Sequence, residues 1–83
     1  MDFTLSSDRT RLAFGGQVYT LEWTHQDWYH KVTARQNGVP LGQASNGGGT
    51  HWVGHHEGVT EDMDYYSPSP IAALIMAITQ RKI

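Results

Sequence analysis

The sequence predicts an α+β fold: an antiparallel meander of four to six strands with one C-terminal helix packed on one face. Two observations support this prediction. In the first half of the chain, segments of alternating apolar and polar residues flank a Gly-Gly pair and an Asn-Gly pair. Both pairs favour two-residue hairpin turns. Near the end, the segment IAALIMAI follows helical spacing, and a short helix needs a sheet face to cover it. The chain of 83 residues is expected to form a single domain, residues 1–83.

The first hairpin is predicted in the stretch TRLAFGGQVYTLEW. With the Gly-Gly pair as the turn, Leu12 faces Tyr19 across the two strands, and Arg9 faces Glu22. This register collects the large apolar side chains on one face: Leu12, Phe14, Tyr19, Leu21 and Trp23. The other face is mainly polar, as a half-buried hairpin requires. Residues 1–6 and 57–60 are left open as possible additional strands.

The second hairpin is predicted in WYHKVTARQNGVPLGQAS, where Asn-Gly is the strongest turn signal in the chain. This turn pairs Ala34 with Leu41 and places Pro40 opposite Arg35. Because proline lacks an amide N–H and Gly42 weakens a strand, the second strand is predicted at the edge of the sheet. The glycines of SNGGGT are read as a connection, since neither a helix nor a Lys-Ser/Thr pair follows them. The stretch THWVGHH is read as a further strand.

The helix is predicted to start at Ser69, a favoured N-cap residue, with Pro70 as its first residue. Its apolar side chains follow helical spacing and are expected to pack on the sheet: Ile71, Leu74, Ile75 and Ile78. The opposite side of the helix is expected to carry Ala73, Ala77, Gln80 and Arg81.

Composition restricts the class of protein. The chain has no cysteine, which favours a reducing compartment. Its start lacks the pattern of a signal peptide, and its longest apolar run is far short of the roughly 20 residues that span a bilayer. A cytoplasmic protein without membrane contact is therefore expected. Six Lys and Arg against eight Asp and Glu argue against nucleic-acid binding, and no cofactor is predicted.

The segment EGVTEDMDYYSP combines acidic and aromatic side chains, which is typical of protein contact surfaces. Tyrosine rings bury area at a contact, and carboxylates complement a basic partner groove. The predicted partner-binding residues are Glu57, Glu61, Asp62, Met63, Asp64, Tyr65 and Tyr66. The simpler alternative is a solvated acidic loop in which one tyrosine packs under the helix N-terminus.

Two other binding sites remain as alternatives. Tyr29, Lys31 and Arg35 alternate on one strand face, and aromatic and basic residues in this pattern can bind single-stranded nucleic acid. His51, His55 and His56 supply possible metal ligands. On a strand, however, the first two lie roughly 13 Å apart and the last two point to opposite faces. No nucleophile motif is present, so the chain is not expected to be an enzyme.

The stretch TARQNGVPLGQAS followed by SPSPIAALIMAI resembles the layout of small phage-encoded accessory and inhibitor proteins, including some anti-CRISPR proteins. The resemblance covers residues 28–83 and assigns no individual functional residue. It implies a stoichiometric inhibitor or adaptor in a bacterial or phage-infected cytosol, and a target that normally holds nucleic acid. We therefore expect a non-enzymatic module that occludes a partner protein. A homo-oligomer paired through an edge strand is the further alternative.

Overall fold

The computed structural model describes residues 2–57 and 64–82. Within these residues, seven strands and one helix form: β1 (Thr4–Leu5), β2 (Arg11–Phe14), β3 (Gln17–Gln26), β4 (Tyr29–Gln36), β5 (Val39–Asn46), β6 (Trp52–His56), β7 (Tyr65–Ser67) and α1 (Pro70–Thr79). The strands pair in chain order, each antiparallel to the next. The sheet curls into a half-barrel, and α1 packs against it. The α+β class is confirmed, with seven strands in place of four to six.

Both predicted two-residue turns form. Gly15 and Gly16 have φ values of 58° and 77°, and Asn37 and Gly38 have 54° and 79°. Positive φ at both central residues is the condition for a type I′ turn, whose twist matches that of the flanking strands. The predicted register of the first hairpin is confirmed along all four pairs of β2 with β3.

The second hairpin departs from the predicted register beyond its turn. Arg35 faces Pro40 as predicted, but a β-bulge next to this pair moves Ala34 from Leu41 to Gly42. The prediction assumed an unbroken ladder and was wrong by one residue beyond this point. As a result, Gly42 lies opposite Ala34, close to the side chains of the helix.

The prediction that β5 is an edge strand was also wrong, because β5 lies between β4 and β6. Pro40 is tolerated there because the ladder with β6 includes β5 only from Gly42 onward. Within the described ranges, the edges of the sheet are β1 and β7, which have two and three residues. A homo-oligomer cannot use the Pro40 strand as a free edge, since β5 is paired on both sides.

Small residues on the concave face make room for α1. The strand register aligns Ala44 with Gly54 across β5 and β6. A Cβ atom on Gly54 would lie 2.8 Å from the carbonyl carbon of Ala73 and 3.2 Å from the Cβ of Ala77. The helix therefore approaches the strand backbone at this point, which only glycine permits.

The helix is buried around most of its circumference. Ile71, Leu74 and Ile75 are buried as predicted. Ala73 and Ala77, which were predicted to lie on the opposite side, are both fully buried. That prediction was wrong because alanine spacing does not show that a curled sheet will surround the helix.

Both ends of α1 have recognisable caps. The Ser69 Oγ accepts a hydrogen bond from the Ala72 N–H at 3.3 Å, and Pro70 is the first helical residue, as predicted. Gln80 ends the helix in the left-handed region, at φ 57°. Within the described residues, no helix is long and apolar enough to cross a membrane.

The predicted apolar face of the first hairpin is confirmed. Leu12, Tyr19 and Leu21 are buried in the core, and Phe14 and Trp23 pack against it while partly exposed. Burial raises the pKa of the Tyr19 hydroxyl, because the apolar surroundings disfavour its ionised form. Trp23 marks the boundary of the core, and the candidate site begins there.

Candidate ligand-binding pocket

A pocket of about 460 Å³ opens at one end of the curled sheet. Its lining comes from the β1–β2 loop and from strands β3, β4 and β6: Asp8, Arg9, Trp23, Thr24, His25, His30 and Trp52. The volume lies in the range of small-ligand sites, roughly 300–1,000 Å³. Aromatic and imidazole rings make up most of this lining, so the pocket can bury a flat group.

The strand register brings these rings together. His25 pairs directly with His30, and the two ring centroids lie 5.1 Å apart in a T-shaped arrangement. Trp23 lies two residues before His25 and therefore shares its face. Trp52 reaches the cluster from β6, with its ring 6.5 Å from Trp23, edge-on, and 6.3 Å from His30.

The β1–β2 loop adds a cation to this cluster. The Arg9 guanidinium carbon lies 4.2 Å from the centroid of the Trp23 ring, which is a cation–π contact. The Trp23 indole N–H donates a hydrogen bond to the Arg9 carbonyl, so the two residues are joined at two points. Arg9 has φ 62°, an uncommon conformation for a residue with a side chain. This turn explains why Arg9 does not face Glu22 as predicted.

Asp8 stabilises the loop that carries Arg9. The Asp8 Oδ1 accepts hydrogen bonds from the Ser6 hydroxyl at 2.7 Å, the Thr10 hydroxyl at 2.7 Å and the Thr10 N–H at 3.1 Å. These hydrogen bonds, that from Ser6 first, lower the pKa of Asp8 to about 2, because they favour the carboxylate. The Arg9 N–H also donates to the Ser6 carbonyl at 2.9 Å.

Several hydrogen-bond donors in the pocket are available to a ligand. Within residues 2–57 and 64–82, Arg9 forms no ion pair with a carboxylate. In the same ranges, the imidazoles of His25 and His30 and the indole N–H of Trp52 have no hydrogen-bond partner. Each imidazole offers at least one N–H, and guanidinium offers five. The pocket therefore presents donors beside apolar rings.

The predicted acidic and aromatic segment is described only in part. Tyr65 opens β7, where a loop was predicted, and it is 2% exposed against Met76 and Ala77. Strand alternation directs Tyr65 to the helix and Tyr66 to the other face. Tyr65 is thus a core residue and not a surface contact. Three predicted residues lie outside the described part of the chain: Glu61, Asp62 and Met63.

The remaining members of that segment lie at the surface or near it. Tyr66 is 62% exposed, and Glu57 is exposed at the end of β6. The Asp64 Oδ1 lies 3.4 Å from the His55 Nδ1, so its charge has a nearby partner. Tyr66 and Glu57 are the members of this segment available for contact in the described residues.

The three residues of the nucleic-acid alternative share the outer, convex face of β4. Tyr29 is 41% exposed, and Lys31 is half-buried. Arg35 lies 3.9 Å from Glu22, a carboxylate that would repel a nearby phosphate. Nucleic-acid binding by Tyr29, Lys31 and Arg35 stays a prediction.

The three histidines of the metal alternative have separate partners. His51 lies in the β5–β6 connection, next to a threonine hydroxyl. His55 lies beside Asp64, whereas the His56 Nδ1–H donates to the Ala77 carbonyl at 3.0 Å. Within the described residues, no group of three or more His, Cys, Asp or Glu could hold a metal ion.

The pocket was missed at the level of sequence, although a length comparison indicates it. β3 has ten residues and spans about 33 Å, whereas α1 also has ten residues and spans about 15 Å. A helix of this length cannot cover a strand twice as long, so Trp23 and His25 extend beyond its reach. No family model, no curated protein and no solved structure matches the chain.

Proposed function

We propose that the chain is a small non-enzymatic protein-binding module that occludes the surface of a partner protein. The observation that supports this most directly is one exposed tryptophan in the turn that joins two strands of the pocket. Trp28, at 67% exposure, occupies the two-residue turn between β3 and β4, the strands that carry the paired His25 and His30. Large exposed aromatic rings beside an open pocket are typical of binding surfaces, where they gain free energy when a partner buries them.

The low pKa of Asp8 and the contact of Arg9 with Trp23 support ligand binding over catalysis in the pocket. A general acid or base works best when its pKa lies near the working pH. The pKa of Asp8, the carboxylate in the lining, is about 2, and three hydrogen bonds commit its Oδ1 to the loop. Arg9 is stacked on Trp23 and serves to attract and orient a ligand.

The finer form of the proposal comes from the resemblance of residues 28–83 to phage inhibitors. In this form the module acts in a bacterial or phage-infected cytosol, on a protein that normally holds nucleic acid. The exposed Tyr66 and Glu57 offer an aromatic and an acidic group for a second contact with such a partner.

The test is affinity capture from bacterial lysate, with and without nuclease, followed by binding measurements between purified proteins. Trp28→Ala is expected to weaken the purified complex about tenfold or more, since truncating an aromatic hot spot removes much of the contact energy. Val18→Ala is the matched control, because Val18 is 59% exposed and lies beside the Gly-Gly turn. Capture that depends on intact nucleic acid, or a Trp28 variant that binds as tightly as the Val18 variant, would contradict the proposal.

A further inference from the structure

We propose that the pocket formed by Arg9, Trp23 and Trp52 binds an aromatic ring that carries a carboxylate. In a partner protein, this chemistry is supplied by an aromatic residue next to Asp or Glu. The inference rests on the proposed function, because it names the chemistry of the partner segment that enters the pocket.

The rings of the pocket recognise the aromatic part. The ring centroids of Trp23 and Trp52 lie 6.5 Å apart in an edge-on arrangement, and those of His30 and Trp52 lie 6.3 Å apart. Arg9 occupies one face of Trp23, and Trp52 and His30 also line the pocket of about 460 Å³. An entering ring can therefore pack edge-to-face or offset against Trp52, the arrangements that aromatic pairs prefer.

The donors recognise the carboxylate. The Arg9 guanidinium is already oriented by its contact with Trp23 and has no carboxylate partner within residues 2–57 and 64–82. A planar guanidinium can bind a carboxylate through two parallel hydrogen bonds. The N–H groups of His25 and His30 lie on the same pocket and can donate to the same anion.

Asp8 contributes one negative charge to the lining, which the positive charge of Arg9 offsets. The hydrogen bonds from Ser6 and Thr10 hold its Oδ1 within its own loop. The lining contains several donors without partners but no lysine or glutamate. A cationic ring would approach the Arg9 guanidinium and be repelled.

A peptide fits the charge distribution better than a polynucleotide. Arg9 is the single arginine in the lining of this pocket, and the chain has six Lys and Arg against eight Asp and Glu. Polynucleotide affinity grows with the number of phosphates that Lys and Arg neutralise. One guanidinium suits one carboxylate, so an acidic segment with one aromatic residue is the favoured ligand.

The experiment titrates the full chain with four probes and follows its three tryptophan indole N–H signals in ¹H–¹⁵N spectra. The probes are indole-3-acetate, tryptamine, a capped acidic pentapeptide with a central phenylalanine, and a short oligothymidine. Indole-3-acetate and the pentapeptide are expected to shift the signals of Trp23 and Trp52 saturably. We expect them to bind about tenfold more tightly than tryptamine, because one charge-assisted contact has that effect.

Two arginine variants distinguish binding in the pocket from a general effect of the protein's charge. Arg9→Gln is expected to weaken the binding of both acidic probes about tenfold. Arg35→Gln removes the same charge from the convex face and is expected to change affinity less than about twofold. Well-dispersed amide signals verify that each variant is folded.

Four outcomes would overturn the inference. These are equal or tighter binding of tryptamine, tighter binding of oligothymidine, no effect of Arg9→Gln, and binding of indole-3-acetate without the pentapeptide. The last outcome assigns the pocket to a free small molecule. If a captured partner binds equally well to the Arg9→Gln variant, this inference fails while the proposed function stands.

Discussion

Gly54 of β6 lies directly beneath Ala73 of α1, so close that a Cβ atom on Gly54 would stand 2.8 Å from the Ala73 carbonyl carbon. The obstructing atoms belong to helix backbone, which cannot rotate away as a flexible side chain can. This contact sets the spacing between helix and sheet across the middle of the core.

Gly54→Ala is therefore expected to destabilise the fold by about 1–3 kcal/mol, because α1 must move outward and loosen its packing. Urea denaturation followed by circular dichroism measures the change. Gly49→Ala is the control, since a Cβ atom there has nothing within 4 Å, and it should stay within about 0.5 kcal/mol of the wild type. Equal midpoints for the two variants would show that the helix does not pack this closely.

The N-cap of α1 gives a second prediction. Ser69→Ala removes the acceptor for the Ala72 N–H and is expected to cost about 1 kcal/mol in free energy of unfolding. Ser69→Asp keeps an acceptor and adds a negative charge at the positive end of the helix dipole, so it should match or exceed wild-type stability. An aspartate variant as unstable as the alanine variant would rule out capping by this side chain.

The two adjacent tyrosines of β7 are expected to differ sharply in their contribution to the free energy of unfolding. Tyr65→Ala empties a fully buried position and should cost about 3–5 kcal/mol, whereas Tyr66→Ala should stay within about 0.5 kcal/mol. Tyr65→Phe should be nearly neutral, because the buried hydroxyl has no hydrogen-bond partner in the described residues. Thermal and urea unfolding test all three, and a large loss from Tyr65→Phe would reveal a partner for that hydroxyl.

Asp8 predicts a stability change at acidic pH. Its pKa in the folded chain is about 2, below the ordinary value of 3.8, so the carboxylate stabilises the folded state above about pH 4. This contribution is lost as the pH falls from 4 towards 2, because the unfolded chain takes up the proton first. The melting temperature of the wild type should exceed that of Asp8→Asn at pH 6, and the gap should narrow by pH 2. A gap independent of pH would contradict the hydrogen-bonded carboxylate.

Local signals explain which parts of the fold were predictable. The Gly-Gly and Asn-Gly pairs determine two hairpins through their own backbone preferences, and Ser69 with Pro70 marks the helix start in the same way. The bulge beside Arg35 has no such signal. The third two-residue turn, at Asp27 and Trp28, contains no glycine, although Asp27 adopts a left-handed φ of 56°, which aspartate tolerates better than most residues.

Features that depend on several strands could not be read from one segment. Ala73 and Ala77 look like the exposed side of a helix until the glycines beneath them are known. Arg9 was paired with Glu22 by counting along the hairpin, but its left-handed backbone turns it onto Trp23. The candidate pocket combines a loop with three strands, and none of these segments indicates it alone.

The chain-order pairing of the sheet has a consequence for folding kinetics. Each strand from β2 to β6 pairs with the strand before it through a short connection, so most of the sheet can assemble through contacts of low sequence separation, which form quickly. Docking of α1 is different, because the strands it contacts include β4, which ends more than thirty positions before the helix begins. We therefore expect the hairpins to form early and α1 to dock later, because its docking closes a longer stretch of chain.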